Sequence, residues 1–189
     1  MKEKGILFTP ENIRSILEGR KTQTRRTMKV PPPEPDCAWY AKNCSYGVPG
    51  DHLYVKEGWG IGGARLIDPT VNYRAGGQMP LIGHASPDMW SIHGNRNEVN
   101  DADLLKVKDG WHNAMFMPKW AARLWLEITD VRVERVQDIS EADCIAEGCP
   151  KEYLLGVNWY KALWDEINGK THPWSENPWV WCILFRRVQ

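Results

Sequence analysis

The sequence predicts an α+β fold, a small and mainly antiparallel β-barrel decorated with short helices. Three observations predict it. Segments with the two-residue period of strands outnumber those with a helical period; they do not alternate with helices as parallel βαβ units would; and stretches rich in Pro, Gly, Asn and Asp separate them. A length of 189 residues suits one domain spanning 1–189, long enough to bury a hydrophobic core.

The elements follow in order. Thr9 suits a helix N-cap, Pro10 the first helical position and Glu11 the positive end of the helix dipole. Ile13, Ile16 and Leu17 share one face, and Gly19 ends the helix. The basic stretch "EGRKTQTRRTMK", Glu18 to Lys29, is therefore expected on a connection beyond that helix. Prolines and glycines predict a long surface loop at 30–50. "HLYVKEGWGI" reads as a strand with Leu53, Val55 and Glu57 to one side, and "TVNYRAGG" as a short strand and turn. Weak patterning makes 78–113 an insertion loop or flap.

Regularity returns at "AARLWLEITDVRVERVQDIS", a long strand with a break or bulge near Thr129 and Asp130. Ser140 and Asp143 form a capping box that opens a short helix closing at Gly148. Asn158 is a candidate cap for "WYKALWDEING", with Tyr160, Leu163, Trp164 and Ile167 facing inward, and "NPWVWCILFRRV" reads as a core strand.

Lys plus Arg and Asp plus Glu both number 24, so no global field draws the chain onto nucleic acid or an anionic membrane, and anion recognition must be local. The N-terminus is unlike a signal peptide, and no run of about 18 apolar residues occurs. These features predict a soluble, cytoplasmic protein without a membrane partner. Five cysteines without a CxxC pair and five histidines without HExxH spacing predict free thiols, no metal and no cofactor. Eleven tryptophans supply core area and flat stacking platforms; Trp125, Trp164 and Trp181 follow the periodicity of core positions.

The basic stretch holds the candidate site. Arg20, Lys21, Arg25 and Arg26 can contact phosphates, while Trp59, Tyr73 or Trp179 can stack a base, a pattern suited to RNA or a nucleotide-derived ligand. Glu57 and Arg74 are further candidates: Glu57 can receive the exocyclic amine of a base, or else pair with Arg74 or a neighbouring lysine.

Gly19, Lys21 and Arg26 in "GRKTQTRR" match the GxKxxExR signature of ASCH domains. "PGDHLYVKEGW", "ITDVRVERVQDISEADCIAEG" and "NPWVWCILFRRV" resemble other ASCH segments in the same order. The resemblance implies the β-barrel of PUA-like folds and is nearest to longer phage and prophage ASCH proteins. The signature's Glu position is Thr24 here, as in a small bacterial ASCH enzyme that hydrolyses N(4)-acetylcytidine. By that resemblance Lys21, Thr24 and Glu147 would be catalytic, with Glu57 the rival acid. Two readings therefore stand: recognition of RNA or a modified nucleoside without turnover, and amide hydrolysis by a threonine nucleophile with a lysine base. A third class, a phage assembly or interaction protein, would use the two long loops as partner surfaces.

Overall fold

The computed structural model describes residues 1–30, 43–64, 68–80 and 106–188. The greater part of both expected loops, 31–42 and 81–105, lies outside the described residues. The flanks of the second loop carry short strands at Gln78–Pro80 and Trp111–His112.

The secondary structure is α+β, with strands β1 (Glu3–Leu7), β2 (Gln23–Thr27), β3 (His52–Lys56), β4 (Trp59–Ala64), β5 (Asp68–Tyr73), β6 (Gln78–Pro80), β7 (Trp111–His112), β8 (Trp125–Arg135) and β9 (Trp179–Arg187). Three helices accompany them: α1 (Pro10–Leu17), α2 (Glu141–Ala146) and α3 (Gly156–Asn168). Instead of one closed barrel, the described strands form two sheets, ordered β1-β3-β8-β9-β2 and β6-β5-β4-β7. The pairings β2/β9, β8/β9, β4/β5, β5/β6 and β4/β7 are all antiparallel, as the patterning requires.

Several elements form for the local reasons legible in the sequence. The Thr9 hydroxyl accepts the Asn12 amide at 3.3 Å. Ser140 Oγ accepts the Asp143 amide at 3.1 Å and Asp143 Oδ2 accepts the Ser140 amide at 3.1 Å, a reciprocal capping box at the start of α2. The β8/β9 register shifts between Ile128 and Asp130, the expected bulge. In the "PGD" turn, the Asp51 carboxylate accepts the amides of Lys2 at 2.7 Å and Val48 at 3.1 Å.

Other expectations are corrected. The basic stretch is not a connection: Gln23–Thr27 is strand β2, laddered to β9 from Gln23↔Leu184 to Thr27↔Val180. Pairing with an apolar partner overrides the loop-like look of a charged segment. "HLYVKEGWGI" is two strands, with Glu57 between them. Helix α3 starts at Gly156, before Asn158, because the Glu141 carboxylate on α2 accepts the amides of Gly156 at 2.8 Å and Val157 at 3.4 Å. Leu17 and Ile167, expected inward, are exposed, while Ile13, Ile16, Tyr160 and Trp164 are buried.

The chain divides into two compact units. One comprises residues 1–4, 14–53 and 126–188; the other comprises 5–13 and 54–125. In the first, Val136, Ile139, Cys144, Tyr160, Trp164 and Val180 form a core cluster between the helices and the sheet. In the second, Trp59, Val71, Tyr73, Met117, Ala121 and Trp125 form another. Cys44, Cys144, Cys149 and Cys182 are free and buried. No described helix is long and apolar enough to cross a membrane.

Candidate functional site

The end of α1 sets Lys21 in place. Past Gly19 the amides of Arg20 and Lys21 donate to the Ser15 carbonyl at 2.9 and 3.0 Å, and the Thr22 amide donates to the Ala146 carbonyl at 2.8 Å. The chain is thereby tied to the end of α2 just before β2 begins. Gly148 allows the close approach. Its φ is 96°, and a Cβ there would meet the Cβ atoms of Lys21 and Ser15 at 3.2 Å.

Within this clamp Lys21 Nζ lies 2.6 Å from Glu147 Oε2 and also donates to the Glu147 carbonyl at 2.8 Å. Both side chains are almost wholly inaccessible, at 2% and 3%. Arg25 Nη1 reaches the other oxygen, Glu147 Oε1, at 3.3 Å, so each carboxylate oxygen meets a different cation. Arg25 Nη2 lies 3.3 Å from Glu134 Oε1 and from Asp143 Oδ2, and the guanidinium carbon sits 5.8 Å from the centre of the Tyr160 ring. Arg132 Nη2 donates to Asp143 Oδ1 at 3.0 Å and to Gln23 Oε1 at 3.2 Å. The basic stretch is thus mostly internal: Lys21 and Arg25 are buried and matched by Glu134, Asp143 and Glu147.

Burial depresses the Lys21 pKa below its ordinary value. Glu147 opposes the shift, and the charges of Arg26 and Arg25 add to it. Burial also lifts the Tyr160 hydroxyl well above its usual range, with Glu147 adding to the effect. Burial pushes Asp143 upward, yet hydrogen bonds from Ser140 and then Arg132, together with the charge of Arg25, hold its carboxyl well below the usual carboxylate range.

Thr24 is buried one residue before Arg25 on β2, and strand alternation turns it to the opposite face, beside its cross-strand partner Ile183. Arg26 shares that parity and is half-buried. Arg20 stands apart: its Nη2 pairs with Glu18 at 2.6 Å and its Nη1 donates to the Gly148 carbonyl at 2.9 Å. Trp179 is also engaged, with the Arg135 guanidinium 4.3 Å from its ring centre.

The remaining candidates belong to the second unit. Among the described residues Glu57 pairs with Arg123 rather than with Arg74 or a lysine. Arg123 holds it bidentately, Nε to Oε1 at 2.8 Å and Nη2 to Oε2 at 2.9 Å. Burial raises the Glu57 pKa against the pull of Arg123. Arg123 also stacks 4.1 Å from the centre of the Tyr73 ring, while the Tyr73 hydroxyl donates to the Ala121 carbonyl at 2.8 Å. Trp59 and Tyr73 are therefore core residues rather than open stacking platforms. Arg74 lies over Trp111, 5.4 Å from its ring centre.

Sequence reasoning missed Arg123, Glu134, Asp143 as an ion-pair partner, and Arg132. Only the capping role of Asp143 had a local signal. Among the described residues no group of three or more His, Cys, Asp or Glu side chains is arranged to hold a metal ion.

The sequence matches no protein-family model and no curated protein. Solved structures similar to it include the following three. An ASCH domain from Lactobacillus crispatus is 14% identical, with 99% of this chain and 80% of that one covered and a TM-score of 0.46. Protein EF3133 from Enterococcus faecalis is 11% identical, with 100% and 80% covered and a TM-score of 0.44. Hypothetical protein PH0355 is 13% identical, with 100% of both chains covered and a TM-score of 0.41. The roles of individual residues rest on this chain's own geometry.

Proposed function

We propose that this ASCH-like protein is an amidohydrolase for a small acylated nucleoside of the N(4)-acetylcytidine type, with Thr24 as nucleophile, Lys21 as base and Glu147 as its acidic partner. The buried Lys21–Glu147 pair, 2.6 Å apart, carries this reading.

A threonine hydroxyl needs a base, and a lysine serves only as the free amine. Desolvation and the neighbouring guanidinium groups favour that form, whereas Glu147 holds the protonated form when the amine has taken a proton. The reaction requires Thr24 Oγ, which strand alternation turns away from Arg25, to come within hydrogen-bond reach of the Lys21 amine; the oxygen then bonds to the acetamide carbon as its proton passes to that amine. The tetrahedral intermediate then collapses with cleavage of the carbon–nitrogen bond, and the Lys21 ammonium returns the proton to the leaving amine of cytidine. Water attacks the threonyl acetate, loses a proton to Lys21 and releases acetic acid, regenerating the threonine hydroxyl.

Recognition of RNA without turnover draws its affinity from accessible cations. Lys21 and Arg25 direct theirs to internal carboxylates, which favours the enzyme over a phosphate-binding surface. The two readings separate in an assay of cytidine release from N(4)-acetylcytidine by chromatography. Release by the wild type and its absence in Lys21→Arg support hydrolysis, because guanidinium cannot act as a base. No release by the wild type, with salt-sensitive RNA binding in its place, would overturn it.

A further inference from the structure

Arg25 lies outside the GxKxxExR signature and takes no bond-making step in the proposed reaction, yet it is buried at the centre of the charge network. On β2 it stands opposite Cys182 of β9, and strand alternation puts it on the face shared with Gln23 and turned from Thr24.

Its guanidinium grips one face of α2 at two points. Asp143 is the third residue of that helix and Glu147 its C-cap, four positions apart and therefore on one face. Arg25 Nη2 lies 3.3 Å from Asp143 Oδ2, and Nη1 lies 3.3 Å from Glu147 Oε1. Asp143 is itself fixed, since its Oδ2 accepts the Ser140 amide at 3.1 Å and its Oδ1 accepts Arg132 at 3.0 Å. Glu134 on β8 adds a third carboxylate, 3.3 Å from Nη2.

The consequence falls on Glu147. A carboxylate free to rotate can offer a lysine either oxygen; here Oε1 faces Arg25 and Oε2 faces Lys21 at 2.6 Å. A second cation on the same carboxylate also weakens its hold on the ammonium. Of the charges around Lys21, Glu147 favours the ammonium, whereas Arg26 and Arg25 favour the free amine. Arg20 is paired with Glu18, and Glu134 and Asp143 are engaged by Arg25. Burial raises the Tyr160 hydroxyl of α3 and the Cys182 thiol of β9 well above their ordinary values, so neither brings a charge at neutral pH. We propose that Arg25 is a positioning residue for the Lys21–Glu147 pair: anchored by Glu134 and Asp143, it holds Glu147 Oε1 and leaves Oε2 to the amine that takes the threonine proton. The catalytic consequence rests on the hydrolase reading; the hold on Glu147 does not.

Two readouts keep the two apart. Proton–carbon NMR of lysine-labelled full-length protein, with Lys21 assigned through Lys21→Met, follows the titration of Lys21 Cε in the wild type and in Arg25→Gln. The pH profile of kcat/KM for cytidine release is measured on the same proteins. Loss of the guanidinium should raise the Lys21 midpoint by at least about one pH unit and carry the acid limb of kcat/KM upward with it, a shift that a merely structural role would not produce. Arg25→Lys, which keeps the charge but not the fork, should move both by less. Because Arg25→Gln takes a cation from a buried carboxylate cluster, the Arg25→Gln and Glu134→Gln double variant provides a second protein, with the same expected direction. A Lys21 midpoint that stays at the wild-type value in a folded Arg25→Gln or double variant would overturn the assignment. So would a loss of rate with the acid limb in place. A raised midpoint alongside a wild type that releases no cytidine would support the hold of Arg25 on the pair and overturn the hydrolase reading alone.

Discussion

Lys21 and Glu147, 126 residues apart in the chain, form an ion pair with a 2.6 Å separation and almost no solvent contact. Such a pair is costly to desolvate and more costly to break, because the surviving partner is left as a buried charge. Lys21→Met and Glu147→Ala should each cost about 3–5 kcal/mol in urea unfolding. Glu147→Ala should be the worse, since it strands Arg25 as well. The combined Lys21→Met and Glu147→Leu variant should lose much less than the sum, a coupling that a double-mutant cycle measures directly.

The depressed Lys21 pKa gives a second expectation with a definite sign. The folded protein binds fewer protons than the unfolded chain between the lowered value and the ordinary 10.5, so stability rises with pH across that window. Lys21→Met should flatten this part of the profile. In the proposed reaction, kcat/KM should also rise with pH through the lowered value, as the free amine becomes available.

Asp143 behaves in the opposite sense. Its carboxyl is held far below the ordinary 3.8, so the stability it contributes is present above that pH and is lost as pH falls through the folded value. It also completes the capping box of α2 with Ser140. Asp143→Asn should cost about 1–2 kcal/mol at neutral pH and weaken the acid dependence of unfolding, read by circular dichroism.

Arg123 is the bidentate counter-ion of Glu57 in the second unit and opposes the upward push of burial on its carboxyl. In Arg123→Met the buried carboxyl loses its partner and its already raised pKa climbs further. The variant should therefore be destabilised by about 3 kcal/mol, and by more at pH near 8 than near 5, where protonation neutralises the acid. Thermal midpoints at the two pH values check the sign.

Local signals made much of the fold legible. Thr9 and Pro10, the Ser140–Asp143 box and the Thr129–Asp130 bulge are each set by neighbours within a few residues, and all three appear as read. What escaped was decided across the chain. Gln23–Thr27 looks like a polar turn until Leu184 to Val180 pair with it, and its charges look solvated until Glu134, Asp143 and Glu147 arrive from more than a hundred residues away. Glu57 likewise finds Arg123, 66 positions on, a partner that no spacing rule announces. The link between Lys21 and Glu147 was anticipated only through the resemblance of two short motifs.

The most direct test of the central claim is single-turnover release of cytidine from N(4)-acetylcytidine by the wild type, Thr24→Ser and Thr24→Ala. Release is expected from the wild type, with reduced but measurable release by the serine variant and a loss of at least about a thousandfold in the alanine variant. Full turnover by a folded Thr24→Ala protein would contradict it.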